Sequence, residues 1–226
     1  MLTLDQVKSK SAGWLGKLHP VLMAGASALI QRCYAKGIPI VITQGMRTIA
    51  EQNALYAQGR TTKGNIVTNA RGGSSYHNYG LAIDFALLLP DGKSISWDTS
   101  RDGNNDRLAD WQQVAQEAKK LGFAWGGDWS SFKDYSHLEM TFGLTTEQLR
   151  ADKQPTVQQV KDALALINGT GSETDPAITV TLNGVKITSG FLEDGTTFAP
   201  VRAVAEALGA KVSYDPVNRT VNLVGE

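Results

Sequence analysis

Residues 75–84 read SYHNYGLAID, and the interpretation of the N-terminal part of the chain begins from this stretch. A glycine- and serine-rich loop leads into it at His77, and an apolar run at 81–89, typical of a buried strand, follows. Asp84 lies inside that run, between two apolar residues. Because a buried carboxylate must be paired or coordinate a metal, the stretch predicts a loop, a buried strand and a polar centre on that strand.

A second cluster of chemically competent residues lies at 134–140, which read DYSHLEM. Together, His77, Asp84 and His137 form a three-ligand set that leaves the fourth corner of a tetrahedral zinc ion open to water, as in catalytic zinc sites. Asp134, three residues before His137, could act as the base beside that water. The spacing alone leaves two alternatives open, namely that His137 is a hydrogen-bonded core residue and that Asp84 is a structural hydrogen-bond acceptor.

Helical and strand patterns alternate through residues 1–150, which we expect to form one catalytic domain. The loop 59–75 is long, and long loops in compact domains are often functional. The predicted fold class is α+β, with a small antiparallel sheet and flanking helices that hold the metal site. The predicted helices are 20–36, 51–58 and 110–121, and the predicted strands are 38–43, 81–89 and 136–141.

Residues 151–176 are predicted to be a linker that contains a short helix. The helical run covers 157–167. It is followed at 168–176 by Asn, Gly, Ser, Thr and Asp residues, a composition typical of linkers.

Residues 177–226 alternate polar with branched apolar residues and predict a small α+β domain. Asn183-Gly184 predicts a two-residue hairpin turn, because both residues accept the positive φ that such turns require. Pro200 opens a predicted helix that Gly209 closes. Two further short strands are expected on either side of a turn at Asp215-Pro216.

Composition excludes several classes of function. Lys and Arg number 22 and Asp and Glu also 22, so the chain lacks the basic excess that nucleic-acid binding by phosphate neutralisation requires. No stretch approaches the ~20 apolar residues of a membrane helix, so we expect no membrane insertion. The single cysteine, Cys33, excludes an intrachain disulfide and a cysteine-based zinc site.

The two clusters resemble the zinc signature of the LAS-type peptidases, the peptidase M15 family. The resemblance rests on Ser75, His77, Gly80, Ala82 and Asp84, followed by Asp134 and His137. This group includes D-alanyl-D-alanine carboxypeptidases and dipeptidases and the L-alanyl-D-glutamate endopeptidases of phage lysins. The stretches 42–48 (ITQGMRT), 51–56 (EQNALY) and 58–61 (QGRT) are most similar to the endopeptidase branch. The resemblance extends over about residues 20–142.

The resemblance implies a role for each matching residue. His77, Asp84 and His137 would bind one zinc ion, and Asp134 would be the general base and acid. Arg47 would face the substrate carbonyl and stabilise its developing negative charge, although a surface ion pair is the alternative. The dipeptidase branch has Glu where this chain has Asp134, so the shorter acid is a mark of the endopeptidase branch.

Further residues are expected around the substrate. The candidates for substrate binding are Gln44, Ser75, Tyr76, Tyr79, Trp125 and Trp129, although the aromatic residues could equally belong to the core. Glu139 would share a strand face with His137. It would either orient that ligand from outside the metal shell or be a solvated acid.

The implied function is a zinc peptidase that acts on bacterial peptidoglycan and cleaves its stem peptide between L-Ala and D-Glu, as an endolysin or autolysin. One alternative is a D,D-carboxypeptidase that removes terminal D-Ala. The other is a zinc-containing wall-binding module without catalysis, against which the presence of both Arg47 and Asp134 argues.

The tail resembles the small domain that bacterial surface proteins share with the N-terminal region of copper amine oxidases. The matching stretches are 180–184 (VTLNG), 198–202 (FAPVR), 208–210 (LGA) and 214–215 (YD). Because the tail has no His or Cys, we expect no copper there. The implied role is binding to the cell wall, with a passive stabilising appendage as the alternative.

The expected place of action is the bacterial cell wall. The first fifteen residues lack the charged head, apolar middle and cleavage site of a secretory signal in that order. The resemblance therefore implies either accumulation in a host cytoplasm and release through a phage pore, or secretion with a signal that has been removed.

Overall fold

A computed structural model describes residues 2–169, 178–193, 196–215 and 220–225. The chain divides into two compact units, Met1–Ser172 and Glu173–Glu226, and this division falls inside the segment 151–176. None of the helices in the described ranges is long and apolar enough to cross a membrane.

The first unit contains a five-stranded sheet in which every pairing is antiparallel. The strands are β1 (Ile40–Gln44), β2 (Ala82–Leu88), β3 (Ile95–Ser96), β4 (Ala124–Trp125) and β5 (His137–Glu139). Their order is β1-β2-β5-β4, and β3 also pairs with β2. This sheet and its flanking helices confirm the predicted α+β fold class.

Six helices surround this sheet in the described part of the first unit. They are α1 (Leu4–Leu15), α2 (Pro20–Ala35), α3 (Ile49–Ala57), α4 (Asp110–Lys120), α5 (Thr146–Arg150) and α6 (Val157–Ile167). The predicted helices correspond to α2, α3, α4 and α6. Helices α1 and α5 were not predicted, although each begins with a capping box, Thr3 with Gln6 and Thr145 with Gln148.

The hydrophobic core lies between α2 and the inner face of the sheet. The α2 side chains Leu22, Leu29 and Ile30 are fully buried against strand residues such as Ile42 and Phe85. Complete burial of each such side chain contributes about 1.5–3 kcal/mol to the hydrophobic driving force. This core fixes the strands on which the polar centre is built.

Helix α6 also belongs to this core. Its last residue, Ile167, is 5% exposed and lies in the same hydrophobic cluster as Leu29, with Val160, Ala163 and Leu164 packed against the cluster. The predicted short helix is therefore present, but it packs into the first unit instead of lying free in a linker. The rest of the predicted linker from residue 170 onward lies outside the described residues.

The second unit is a small α+β assembly. A three-stranded antiparallel sheet contains β6 (Ile178–Leu182), β7 (Val185–Glu193) and β8 (Thr196–Phe198), and the helix α7 (Val201–Ala207) follows. A second sheet pairs β9 (Lys211–Asp215) with β10 (Thr220–Val224).

The turns of the second unit agree with the sequence where they are described. Asn183 and Gly184 form the predicted two-residue turn with φ of 51° and 80°, the conformation that a primed hairpin turn requires. Gly209, which follows α7, has a φ of 82° and ends the helix as predicted. The predicted turn at Asp215-Pro216 lies beyond Asp215 outside the described residues.

Candidate metal centre and active site

Three chain segments bring the candidate ligands together. Asp84 lies in β2 and is paired directly with His137 of β5 on one side and with Gln44 of β1 on the other. His77 lies in a 3₁₀ turn, Tyr76–Tyr79, which leads straight into β2. Gly80 ends this turn with a φ of 66°, and a side chain there would meet the backbone of residues 17–19.

The three candidate ligands converge through one atom each. Nε2 of His77 lies 3.2 Å from Nδ1 of His137, and each of these nitrogens lies 3.3 Å from Oδ1 of Asp84. Both imidazoles are buried. Two ring nitrogens and one carboxylate oxygen therefore form a nearly equilateral triangle, and these residues could hold a metal ion.

The outer nitrogens of the two rings fix which nitrogen is free to bind an ion. Nδ1 of His77 lies 2.8 Å from the carbonyl oxygen of Gly45, and Nε2 of His137 lies 2.9 Å from Oε2 of Glu139. Since both partners only accept hydrogen bonds, each outer nitrogen carries the proton in the neutral ring. The inner nitrogens then present lone pairs to the same point, which is the arrangement found at histidine metal ligands.

The spacing of the triangle suits zinc. Zinc–nitrogen and zinc–oxygen distances of about 2.0–2.1 Å in a tetrahedron imply separations of about 3.3–3.4 Å between ligand atoms. The separations of 3.2 and 3.3 Å among His77, Asp84 and His137 match these values. Without a metal ion between them, two facing lone pairs at this distance would repel each other unless one of the nitrogens carried a proton. The donor set therefore fits a single zinc ion.

The charge around the triangle is strongly perturbed. Burial raises the pKa of Asp84, but hydrogen bonds from His137 and His77 and their charges outweigh it and hold that pKa far below its usual range. Burial lowers the pKa of His137, yet Asp84 and Glu139 together raise it to about 9. The carboxylates of Asp84 and Glu139 therefore favour a positive charge at the His137 ring, and a bound cation would supply such a charge.

Arg47 forms an ion pair with Asp84, one of the candidate metal ligands. Its Nη2 donates to Oδ2 of Asp84 at 2.7 Å, and both side chains are mostly buried, with exposures of 13% and 14%. This contact leaves the other oxygen, Oδ1, directed at the two histidines. Arg47 is thus a buried ion-pair partner and not the surface ion pair that was the alternative.

The fully buried Gln52 of α3, which was not predicted as a site residue, contacts the guanidinium of Arg47. Its Oε1 accepts from Nη1 of Arg47 at 3.2 Å, while its Nε2 donates to the carbonyl oxygen of Ala70 at 2.9 Å. Gln52 therefore connects the arginine to the long loop. The stretch 51–56 pointed to this region, but only the folded chain shows the contact.

A cavity of about 770 Å³ opens onto the triangle. Predicted residues in its wall are Arg47, Ser75, Tyr76, Trp129, Asp134 and Glu139. The wall also contains residues that were not individually predicted to belong to the site, among them 66–70 of the long loop, Leu55, Phe132 and Lys133. Residues 66–70 belong to the long loop 59–75, which was expected to be functional because of its length.

Asp134 is held in place by the residue that precedes His137. The backbone N–H and the Oγ–H of Ser136 donate to Oδ1 of Asp134 at 3.2 and 2.8 Å. The carboxylate lies in the wall of the cavity that contains His77, Asp84 and His137. Because both bonds fall on Oδ1, Oδ2 is the oxygen available to accept a proton.

Three predicted substrate-binding residues lie outside the cavity wall. Trp125 is 5% exposed, belongs to the core and donates from Nε1 to the carbonyl oxygen of Tyr135. The hydroxyl of Tyr79 donates to the carbonyl oxygen of Gly73, and its ring packs against a second small apolar cluster. Gln44 is in β1 opposite Asp84, and its Oε1 is buried. Trp125 is buried and Tyr79 and Gln44 are half-buried, so the structure does not bring these three side chains to the cavity wall.

Two family models match the chain. Residues 68–140 match a model of the M15 peptidases described as D-alanyl-D-alanine carboxypeptidase. Residues 180–226 match the copper amine oxidase N-terminal domain.

A Bacillus subtilis (strain 168) protein, the peptidoglycan L-alanyl-D-glutamate endopeptidase CwlK, is 61% identical to the chain over 123 residues. The match covers 54% of this chain and 73% of that protein. The chain belongs to the M15 peptidase family. Members of this family are hydrolases, generally dependent on zinc.

Other relatives are more distant. The L-alanyl-D-glutamate peptidase of Listeria phage A118 is 31% identical over 134 residues, which are 59% of this chain and 42% of that protein. Among solved structures, the Serratia marcescens L-Ala D-Glu endopeptidase ChiX superposes with a TM-score of 0.44 at 21% identity. That superposition covers 59% of this chain and 88% of ChiX.

Proposed function

We propose that this M15 peptidase is a zinc-dependent peptidoglycan endopeptidase that hydrolyses the bond between L-Ala and D-Glu of the stem peptide. The observation that carries the proposal is the triangle of His77, Asp84 and His137 at a cavity that also contains an arginine and a second aspartate. The 61% identity to an L-alanyl-D-glutamate endopeptidase supports this bond over the terminal D-Ala linkage.

The metal would be one zinc ion held by Nε2 of His77, Oδ1 of Asp84 and Nδ1 of His137. When bound, zinc supplies Lewis-acid polarisation of a carbonyl and lowers the pKa of a water molecule toward ~7. The chain contributes the orientation of the ligands. Gly45 and Glu139 fix the two rings, and Arg47 fixes the carboxylate.

Asp134 is proposed to move the proton. Ser136 holds its Oδ1, so Oδ2 can accept a proton from the attacking water and later deliver it to the leaving amine of D-Glu. General acid–base catalysis of this kind contributes about 10²–10⁴-fold to the rate.

Arg47 is proposed to have two tasks. Its Nη2 positions Asp84, and its guanidinium lies in the cavity wall, where a fixed positive charge stabilises negative charge that develops on the scissile carbonyl. Among the described residues Nη1 and Nη2 donate to Gln52 and Asp84, while the buried Nε has no hydrogen-bond partner.

The cavity wall is proposed to bind the stem peptide, with Ser75, Tyr76 and Trp129 on its surface. The Trp129 ring packs 5.1 Å from the ring of His137 and is 37% exposed.

The second unit is proposed to bind the cell wall, which would keep the peptidase at its substrate. The cell wall is accordingly the proposed place of action.

The test is digestion of purified peptidoglycan by the zinc-loaded protein, with mass spectrometry of the products and quantitation of new amino groups. We expect new amino termini on D-Glu. Both chelation and His137→Ala should abolish their release. Release of D-Ala alone would instead establish the carboxypeptidase. Wall binding by a zinc-loaded protein that releases no fragment would establish the non-catalytic module.

A further inference from the structure

The loop that precedes α4 has the residue spacing of a calcium-binding loop. Counting from Asp102, oxygen-bearing side chains lie at the first, third, fifth and ninth positions, and an amide lies at the twelfth. The EF-hand loop takes its ligands from positions 1, 3, 5, 7, 9 and 12, with a backbone carbonyl at position 7. The corresponding groups are Asp102, Asn104, Asp106, the carbonyl of Leu108, Asp110 and Gln113.

The backbone of this loop has matching features. Arg107, at the sixth position, has a φ of 71°, and the EF-hand loop makes its sharp turn at the same place, normally with glycine. The carboxylate of Asp102 accepts from the backbone N–H groups of Asp106 and Arg107. Helix α4 begins at Asp110, just as a helix leaves an EF-hand loop near its ninth position.

An independent observation is the carboxylate of Asp110. The residue is 3% exposed, and its Oδ2 accepts from the N–H of Gly103 inside the loop at 2.9 Å. Its Oδ1 is buried without a hydrogen-bond partner in the described ranges. A buried carboxylate oxygen left in this way costs free energy unless a ligand satisfies it.

The charges around Asp110 favour a cation. Burial raises the pKa of Asp110, and the negative charges of Asp102 and Asp106 raise it further, against the N–H of Gly103 and the positive charge of Arg101. Three carboxylates therefore repel one another around the loop, and the positive charges of Arg101 beside Asp110 and of Lys36 beside Asp106 oppose this repulsion. A divalent ion between them would remove this repulsion.

We propose that residues 102–113 bind one calcium ion. The oxygen ligands are hard, as calcium prefers, and the backbone carbonyl adds one more. The carboxylates are not drawn within 4.8 Å of one another as the ligand atoms of the zinc triangle are, so the loop must contract around the ion. Gln113 offers one oxygen where the EF-hand has a bidentate Glu. Both features place the dissociation constant on the order of 10⁻⁴–10⁻³ M, as in extracellular modules.

A calcium ion in this loop would stabilise the fold and would take no part in peptide hydrolysis. Trp111, next to Asp110, packs against Phe85 with ring centroids 4.7 Å apart, and Phe85 follows Asp84 in β2. Asn104 also donates to the carbonyl oxygen of Lys36 at the end of α2. An ion in the loop would therefore stabilise the start of α4 and the strand that carries a zinc ligand.

The experiment uses the full chain loaded with one equivalent of zinc and titrated with CaCl₂ or MgCl₂ while the thermal midpoint is recorded. Terbium binding is followed through luminescence sensitised by Trp111, which is next to Asp110. At ten times the dissociation constant we expect calcium to raise Tm by about 3–6 °C. Calcium, but not magnesium, should displace terbium. These readouts do not depend on peptidase activity, so the result stands whether or not the proposed function holds.

Matched variants localise the effect. Asp102→Asn and Asp106→Asn should each weaken terbium and calcium binding at least tenfold. Asp98→Asn, an exposed aspartate just before the loop, should bind like the unaltered chain. Equal binding by all three variants would overturn the proposal. If Asp102→Asn and Asp106→Asn fail to fold, the unaltered chain decides by itself, and equal Tm shifts with calcium and magnesium would overturn it.

Discussion

Glu139 offers a test of how the proposed zinc ligands are held in place. Its Oε2 accepts the hydrogen bond from Nε2–H of His137 at 2.9 Å, and its side chain is 13% exposed, so solvent screens the contact little. Glu139→Gln keeps an oxygen that can accept this bond but removes the negative charge. Glu139→Ala removes both.

The expected magnitude follows from this difference. Loss of a partner that orients a metal ligand weakens metal affinity by about 10–100-fold, and tenfold corresponds to about 1.4 kcal/mol. Because the glutamine keeps the ring orientation, we expect Glu139→Gln near tenfold. Glu139→Ala, which frees the ring, should lie near a hundredfold, or about 2.7 kcal/mol.

The assay is competition for zinc with a chromophoric chelator at fixed pH. Glu147→Gln makes the same chemical change at an exposed residue of α5 and should leave zinc affinity unchanged. If zinc affinity were the same in Glu139→Ala and the unaltered chain, the orientation of His137 by Glu139 would have no energetic role, and the reasoning would be refuted.

Three further changes test other parts of the account. Asp134→Asn should still bind one zinc ion per chain but should lower turnover by about 10²–10⁴-fold. Asp162→Asn, on the surface of α6, should leave turnover unchanged. Equal turnover in the two variants would show that Asp134 does not transfer the proton. Burial raises the pKa of the Cys33 thiol to about 12, so a thiol reagent should label it only after unfolding. Since the unfolded thiol ionises near ~8.5 and the folded one does not, the free energy of unfolding should fall as the pH rises above that value; rapid labelling of the native chain would contradict this. Gly126→Ala would place a methyl group against the carbonyl oxygen of Asp134, so we expect it to lower the free energy of unfolding in urea by about 1–3 kcal/mol. The methyl group of Gly13→Ala in α1 would meet no other atom, so this variant should raise the free energy of unfolding by up to ~1 kcal/mol. Equal stability of the two variants would contradict the packing argument.

Much of the candidate site could be predicted from the sequence because some of the constraints on its residues are local. An aspartate in an apolar strand requires a partner wherever the strand lies, so Asp84 could be identified before its neighbours were known. His77 and His137 were proposed with Asp84 as a three-ligand set from the residues themselves, and the resemblance supported that set. Their distances could not be predicted, because the pairing of β2 with β5 joins residues 53 positions apart.

Other features depended on tertiary structure that a pattern does not encode. Trp125 and Trp129 are four residues apart and chemically identical, yet the first lies in β4 within the core and the second lies in the cavity wall. Gln52 contacts Arg47 only because α3 packs against the long loop. The missed helix α1 is different, since its capping box at Thr3 and Gln6 was readable from the sequence.

The most direct test of the central claim is the zinc K-edge X-ray absorption spectrum of the chain loaded with one equivalent of zinc. We expect only nitrogen and oxygen ligands at about 2.0–2.1 Å, with the multiple scattering of two imidazoles from His77 and His137. A sulfur ligand, or a shell without two imidazoles, would contradict it.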